Sequence, residues 1–159
     1  MVKNRLRARK RFGQNFLQDE MIIADIVAAI DPQMDEHLVE IGPGRGAITE
    51  SLVKSCHRLD VIELDRDLVP LLENKLSSYP QLFVHEADAL AFNYGKLVLD
   101  NEKLRVIGNL PYNITTPLLF NLLSQAEYIQ DMCFMLQLEV VQRICAQPGS
   151  KTYGRLSIM

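Results

Sequence analysis

Hydrophobic positions along the chain follow two different patterns. In five short segments they run almost without interruption, which is typical of strands buried in a sheet. Between these segments they recur every three or four residues, which is typical of helices with one buried face. The predicted strands are residues 37–41, 59–64, 82–85, 104–108 and 132–136. The predicted helices are residues 22–30, 47–54, 67–76 and 139–146. A short helix is predicted near residues 94–99, and another begins at Thr115 to Pro117 and runs to residue 123.

The regular alternation of strands and helices predicts the fold class. Strands joined by helices of this length pair in parallel through right-handed crossovers, so that helices cover both faces of the sheet. We therefore predict an α/β protein with a doubly wound, mostly parallel sheet. The apolar residues 156–159 are predicted to open a further strand, which indicates a sheet truncated at its C-terminal side.

Composition narrows the class of protein. A chain of 159 residues that is 48% hydrophobic fits one domain with its own core. Every apolar run is shorter than a membrane span, so no membrane association is expected. The three cysteines, Cys56, Cys133 and Cys145, lack metal-ligand spacing, and their odd number favours a reducing cytoplasm. We expect a cytoplasmic monomer without a metal.

The charged residues are distributed unevenly. Residues 1–11 hold six of the 17 basic side chains, and no acid occurs before Asp19, although the chain as a whole carries a formal charge of -3. A basic arm on an acidic body is typical of contact with a polyanion, and we expect RNA contacts from Arg7, Arg9, Lys10 and Arg11. A solvated tail and a transit peptide are the alternatives. The predicted organisation is a basic arm, residues 1–11, followed by a catalytic domain, residues 12–159.

A glycine-rich loop follows the first predicted strand. Glycines such as Gly42 and Gly44 allow the backbone to approach a ligand closely at the start of a helix, although a tight turn without a ligand would also use them. Their spacing differs from the Gly-x-Gly-x-x-Gly of dinucleotide-binding folds, which disfavours an NAD-dependent oxidoreductase. Glu63 ends the second strand, where a carboxylate can accept both ribose hydroxyls of a nucleoside. Asp88 ends the third strand and can bond an adenine amino group or cap a turn.

The segment Asn109-Leu110-Pro111-Tyr112 follows the fourth strand and is the most specific feature of the chain. The exocyclic amine of adenine is a poor nucleophile because its lone pair is delocalised into the ring. If the Asn109 side-chain oxygen and the Leu110 carbonyl accept both amine hydrogens, the lone pair is aimed at an electrophilic methyl group. Pro111 stiffens the turn, and Tyr112 can stack on an unpaired base. A plain turn with a core tyrosine is the alternative.

Together these segments resemble the KsgA family of ribosomal RNA adenine dimethyltransferases. The resemblance runs from about residue 9 onward and rests on residues 12–17 (FGQNFL), 40–46 (EIGPGRG), 61–65 (VIELD), 86–88 (EAD), 109–114 (NLPYNI) and 134–137 (FMLQ). It implies a Rossmann-like methyltransferase fold with S-adenosylmethionine as cofactor. The residues that it implies as cofactor contacts are Asn15, Leu17, Gly42, Glu63, Asp88 and Asn109.

The resemblance also implies a substrate and a longer protein. The expected reaction is N6,N6-dimethylation of two adjacent adenosines near the 3' end of 16S ribosomal RNA in the assembling small subunit. Family members continue through further strands and a helical C-terminal domain. Three other functions stay open: a resistance-type methyltransferase acting on large-subunit RNA, a purine-specific DNA methyltransferase, and an RNA-binding assembly factor that has lost catalysis.

Overall fold

The computed structural model describes residues 17–158, which form one parallel sheet with helices on both faces. The strands are β1 His37–Ile41, β2 Arg58–Glu63, β3 Leu82–Glu86, β4 Leu104–Asn109 and β5 Ile129–Met135. The helices are α1 Glu20–Ile30, α2 Thr49–Leu52, α3 Val69–Lys75, α4 Thr115–Leu123, α5 Leu138–Ile144 and α6 Arg155–Ile158. Two 3₁₀ helices, Tyr94–Lys96 and Ala126–Tyr128, complete the described elements.

The strand order of the sheet is β3-β2-β1-β4-β5. Every neighbouring pair is parallel, and the chain changes direction across the sheet between β3 and β4. At the end of β1, Ile41 is in register with Ile62 on one side and with Gly108 on the other. Ligands of open α/β sheets bind at such a reversal, outside the carboxyl ends of the strands.

Two apolar cores lie on the two faces of the sheet. On one face Leu38 and Leu59 pack with Leu52 of α2 and Ile30 of α1. On the other face the core contains Val39 and Val106 of the sheet, Leu118 and Leu122 of α4, and Tyr94 of the first 3₁₀ helix. Alternate residues of each buried strand therefore enter opposite cores. The predicted doubly wound α/β fold is confirmed.

Most predicted elements are found within one or two residues of their expected bounds, and α1 shows why. Asp19 accepts hydrogen bonds from the backbone amides of Met21 and Ile22, which satisfies donors that the first helical turn leaves free. The helix ends at Asp31, which has a left-handed conformation with φ of 47° and precedes Pro32.

One predicted helix is shorter than expected, and one prediction was wrong. The helix expected over residues 47–54 is a single turn, Thr49–Leu52, because the chain must turn through residues 53–57 before β2 begins at Arg58. Residues 155–158 form a helix and not the expected strand. Here Leu156 is buried and Ile158 is exposed, and the Gly154 amide donates to the Ser157 hydroxyl at 3.2 Å. A run of four residues is too short for the two periodicities to be told apart.

Candidate functional site

A cleft of about 330 Å³ opens at the carboxyl ends of the strands, within the size range of cofactor sites. Five chain segments line it: the glycine loop after β1, the end of β2, the turn after β3, the segment after β4, and the end of β5. The cleft therefore lies at the position that the strand order predicts for a ligand. In residues 17–158 no helix is long and apolar enough to cross a membrane, and no group of three or more potential ligand side chains is arranged to hold a metal ion.

The glycine loop has the conformation that its sequence predicts. Gly42 and Gly46 have φ values of 67° and 72°, in the left-handed region that side chains rarely adopt. A β-carbon at Gly42 would meet no atom within 4 Å, whereas one at Gly46 would lie 2.9 Å from Cδ2 of Leu72. The first glycine therefore leaves backbone accessible beside the cleft, and the second allows α3 to pack against the loop.

Glu63 joins β2 to the glycine loop. Its carboxylate is 5% exposed and accepts hydrogen bonds from the Gly44 amide at 3.1 Å and from the Asp65 amide at 2.8 Å. Burial raises the pKa of Glu63, and these two amide hydrogen bonds oppose the rise. A carboxylate held in this way retains lone pairs for hydroxyl donors of a ligand in the cleft.

Glu40 is a cleft residue to which the sequence analysis gave no role. It is 3% exposed, and among the described residues neither its Oε2 nor the Thr49 hydroxyl completes a hydrogen bond. Burial raises the pKa of Glu40 to about 7, the nearby Thr49 hydroxyl opposes the rise, and the Glu63 carboxylate adds to it. A buried acceptor without a donor fits a cleft that binds a ligand carrying N–H or O–H groups. The available sequence signal was an acid inside an apolar strand, two residues before Gly42.

The turn after β3 presents Asp88 to the cleft. Asp88 is exposed, and its Oδ1 accepts a hydrogen bond from the Leu90 amide at 2.9 Å. The residue is therefore a turn cap and a cleft residue at once, so the two interpretations offered by the sequence are compatible. Its neighbour Ala89 is buried in the core that α4 covers.

The segment after β4 forms the opposite wall of the cleft. Asn109 is the last residue of β4, and a β-carbon at the preceding Gly108 would lie 2.8 Å from the Ile41 carbonyl oxygen. Glycine there lets β1 and β4 approach closely at the cleft. The Leu110 amide donates to the Met135 carbonyl at 3.2 Å, which ties the segment to β5.

A tight turn follows Leu110 and leads into α4. The Pro111 carbonyl accepts hydrogen bonds from the Thr115 hydroxyl at 3.0 Å and from the Ile114 amide at 3.2 Å. This turn holds the Tyr112 side chain 62% exposed at the cleft. An exposed aromatic ring beside a polar pocket is available to stack on a planar ligand.

The structure brings most of the predicted site residues together. Those that line the cleft are Leu17, Gly42, Gly44, Glu63, Asp88, Asn109, Leu110, Pro111 and Tyr112. The others, Asn15, Arg7, Arg9, Lys10 and Arg11, lie outside the described residues.

The sheet order, the glycine loop and the strand-end acid define the fold of the S-adenosylmethionine-dependent methyltransferases. A model of one family, ribosomal RNA adenine dimethylase, matches residues 5–159. Because that match covers nearly the whole chain, the protein belongs to the ribosomal RNA adenine dimethylase family.

Similar proteins support this assignment. Ribosomal RNA small subunit methyltransferase A from Marinomonas sp. is 57% identical over 153 residues, which are 96% of this chain and 58% of that protein. The protein of the same name from Pseudomonas aeruginosa is 58% identical, again over 96% of this chain and 57% of its own length. The chain thus spans a little over half the length of the curated relatives it matches.

Solved structures show the same fold. A dimethyladenosine transferase from Plasmodium falciparum superposes with a TM-score of 0.78 and 27% identity over 91% of this chain and 51% of that one. The 23S rRNA methyltransferase ErmE superposes with a TM-score of 0.71 and 30% identity over 85% of this chain and 53% of that one. A more distant methyltransferase, phosphoethanolamine N-methyltransferase 1 from Haemonchus contortus solved with S-adenosylhomocysteine, shares the fold at 15% identity and a TM-score of 0.55 over 72% of this chain and 23% of that one.

Proposed function

We propose that this chain is the cofactor-binding and catalytic part of an enzyme that dimethylates adenosine N6 in small-subunit ribosomal RNA. S-adenosylmethionine, when bound, supplies a methyl group made electrophilic by its sulfonium. The proposed targets are two adjacent adenosines near the 3' end of 16S RNA, and the proposed partner is the assembling small subunit in the cytoplasm. The enzyme is proposed to act as a monomer and without a metal.

The proposal rests on one observation: two polar walls line the same cleft. Gly42, Gly44 and Glu63 stand on one side of it and the segment 109–112 on the other. A nucleoside cofactor needs acceptors for its ribose hydroxyls, and Glu63 is the buried acid at that wall. The orphaned acceptor of Glu40 suits the amino group at the amino-acid end of the cofactor. Asn15, Leu17 and Asp88 are proposed as its further contacts.

The opposite wall is proposed to hold the target base. The Asn109 side chain can accept one N6 hydrogen, and the Leu110 carbonyl, which accepts no hydrogen bond from the described residues, can accept the other. Two acceptors in a fixed arrangement favour a pyramidal amine with its lone pair aimed into the cleft. Tyr112 stacks on the base, and the proton of the methylated amine leaves to water. As the bond from N6 to the methyl group forms, the methyl–sulfur bond would break and the cofactor would leave as its neutral thioether. No general base is needed, because the methylated N6 then carries a positive charge and readily releases its proton.

The choice of small-subunit RNA rests on the degree of similarity. Relatives named as small-subunit methyltransferases are 56–59% identical to this chain, whereas the 23S rRNA methyltransferase structure is 30% identical. Both groups act on ribosomal RNA by their names. Large-subunit methylation is therefore the principal competing outcome of the test.

The proposal is tested by transfer of labelled methyl from S-adenosylmethionine to unmethylated small subunits, followed by nucleoside analysis. We expect dimethyladenosine with the wild-type chain and at least a roughly hundredfold loss with Asn109→Ala, because one of two oriented acceptors is removed. Asn74→Ala, an exposed asparagine of α3, is the matched control and should retain wild-type transfer. Label in large-subunit RNA alone, or an unchanged rate with Asn109→Ala, would contradict the proposal.

A further inference from the structure

A polar network joins α4 to the turn that carries Asp88. The Asn121 side-chain amide donates to the Ala89 carbonyl at 3.0 Å, and the Tyr94 hydroxyl donates to the same carbonyl at 3.2 Å. Ala89 and Tyr94 are both buried, with exposures of 7% and 0%. Two donors therefore fix the position of the Ala89–Leu90 peptide group, whose amide donates to the Asp88 carboxylate.

Gln125, four residues after Asn121 and just beyond the end of α4, extends this network. Its Nε2 donates to the Phe92 carbonyl at 3.1 Å and to Oδ1 of Asn121 at 3.1 Å, while its Oε1 accepts from the Tyr94 amide at 2.8 Å. The bond to Oδ1 fixes which end of the Asn121 amide points to Ala89. The two side chains thus hold residues 89–94 by three backbone groups, in a segment without helix or strand until Tyr94.

The other end of α4 is tied to the wall of the cleft that bears Asn109. The helix begins at Thr115, whose hydroxyl holds the Pro111 carbonyl, and Leu118 and Leu122 bury it against the sheet. A short helix packed in this way moves as a rigid unit. Its start is attached to the segment 109–112. Asn121 near its end, and Gln125 two residues beyond it, are attached to the turn after Asp88.

From this geometry we infer that Asn121 and Gln125 are positioning residues, which set the place of Asp88 in the cleft relative to the Asn109 wall. The inference rests on the proposed function, in which Asp88 accepts a hydrogen bond from the cofactor's adenine amino group. Among the described residues, Asp88 itself is held only through the Leu90 amide and its own backbone turn. The turn that carries Asp88 is therefore held in place by α4, whose Asn121 lies 32 residues after Ala89 in the sequence.

The inference predicts a loss of base discrimination and not merely a loss of stability. Asp88 can accept a hydrogen bond from the 6-amino group of adenine but finds no donor at the 6-oxo group of hypoxanthine. Binding of S-adenosylhomocysteine and of S-inosylhomocysteine is measured by calorimetry for the wild-type chain. We expect a preference of at least roughly tenfold for the adenine compound. Asp88→Ala defines the preference that remains when the contact is removed.

Two variants test the positioning. Asn121→Leu keeps the size of the side chain but removes its donor, and Gln125→Glu keeps the acceptor for the Tyr94 amide but removes both donated bonds. Each variant should reduce the preference for the adenine compound to within roughly threefold of the preference that Asp88→Ala shows. Ser124→Ala is the control. Among the described residues, this exposed hydroxyl just after α4 bonds only the Asn121 carbonyl, so its loss should leave the preference unchanged.

The outcomes separate this inference from the proposed function. If the wild-type chain binds neither compound, the proposed function fails at its cofactor. If it binds both compounds equally, or if folded Asn121→Leu and Gln125→Glu keep the wild-type preference, the positioning role is overturned while cofactor binding stands. Should Asn121→Leu fail to fold, Gln125→Glu alone decides, because it retains one of the backbone contacts.

Discussion

Nε2 of His37 lies 2.6 Å from Oδ2 of Asp60, and both side chains are fully buried. Nδ1 of His37 lies 2.5 Å from the Glu102 carboxylate, so both ring nitrogens face acceptors. Asp60 also accepts from Arg58 and lies 2.5 Å from Nε2 of His85. Since His37 begins β1 and Glu102 precedes β4, this network links the strands at the sheet end opposite the cleft.

Replacing Asp60 with asparagine should destabilise the protein at neutral pH. Burial alone would raise the pKa of Asp60, but hydrogen bonds from His37, His85 and Arg58 together outweigh burial and hold the pKa well below its usual range. A depressed carboxyl pKa stabilises the folded state above the unfolded-state pKa, and that contribution is lost as pH falls. We expect Asp60→Asn to lower the free energy of unfolding by about 3 kcal/mol at pH 7.

Urea unfolding between pH 2.5 and pH 7 measures this effect, because the contribution is lost as pH falls below the unfolded-state pKa of about 3.8. The exposed Asp35→Asn is the control and should change stability by less than about 0.5 kcal/mol. A difference between Asp60→Asn and wild type that stays the same on acidification towards pH 3 would show that the carboxylate charge is not the stabilising feature.

Glu40→Gln should remove a pH dependence of the ligand-free protein. The pKa of Glu40 is raised from 4.5 to about 7, mainly by burial, so the folded state keeps a proton that the unfolded state releases. The stabilising contribution of the Glu40 proton is therefore complete below pH 4.5. The free energy of unfolding falls by about 3 kcal/mol as pH rises towards 7. Glutamine cannot ionise, so the variant should match wild type in acid and exceed it above pH 7. The measurement is urea unfolding as a function of pH, with Glu73→Gln at an exposed position as the control. Parallel curves for Glu40→Gln and wild type would contradict the raised pKa of Glu40.

The sequence predicted the parts of the molecule that depend on local pattern. The bounds of β1 and β4 were found to within one residue because each apolar run ends at a glycine or asparagine turn. The position of Asn109 beside the glycine loop followed from parallel strands ending at one edge. Residues 155–158 were mispredicted because Leu156 and Ile158 fit a strand or a helix equally well in so short a segment.

Other features of the site arise only from packing between distant segments. Glu40 looks like an ordinary strand acid until the structure shows an oxygen without a donor. The hydrogen bond from Asn121 to the Ala89 carbonyl joins two residues whose proximity cannot be inferred from the hydrophobic periodicity of the sequence. Side-chain pairs of this kind depend on how α4 lies across the sheet, which the apolar pattern specifies only as a buried face.

Gly46 and Gly149 offer a paired test of loop packing. Gly46 and Gly149 have φ values of 72° and 88°, but only at Gly46 would a β-carbon meet another atom, Cδ2 of Leu72 at 2.9 Å. Alanine at either position should cost about 1 kcal/mol for the left-handed backbone. At Gly46 we expect a further cost of at least about 1 kcal/mol for displacing Leu72. Thermal unfolding measures both variants, and equal losses would show that Leu72 moves aside freely.

The basic arm makes a prediction about salt dependence. Replacing Arg7, Arg9, Lys10 and Arg11 with serine removes four positive charges from the segment proposed to contact RNA phosphates. Each lost phosphate contact reduces the slope of log affinity against log salt by about 0.7 to 0.9. We expect weaker RNA binding and a slope reduced by up to roughly 3, measured by filter binding from 50 to 300 mM salt. Serine in place of Lys151 and Arg155, two exposed basic residues of the body, is the control. An unchanged slope in the arm variant would exclude arm contact.

Tyr112 makes the clearest distinction between RNA recognition and cofactor binding. Its ring is 62% exposed at the cleft, so removing it should change the free energy of unfolding by less than about 0.5 kcal/mol. Stacking of an aromatic ring on a base contributes about 1–3 kcal/mol, so Tyr112→Ala should reduce kcat/KM for RNA methylation by roughly 5- to 100-fold. Tyr112→Phe retains the ring and should stay within roughly threefold of wild type, because stacking does not need the hydroxyl. The affinity for S-adenosylhomocysteine should be unchanged in both. If Tyr112→Ala weakens cofactor binding as much as RNA methylation, the ring acts on the cofactor side of the cleft and the proposed base contact is wrong.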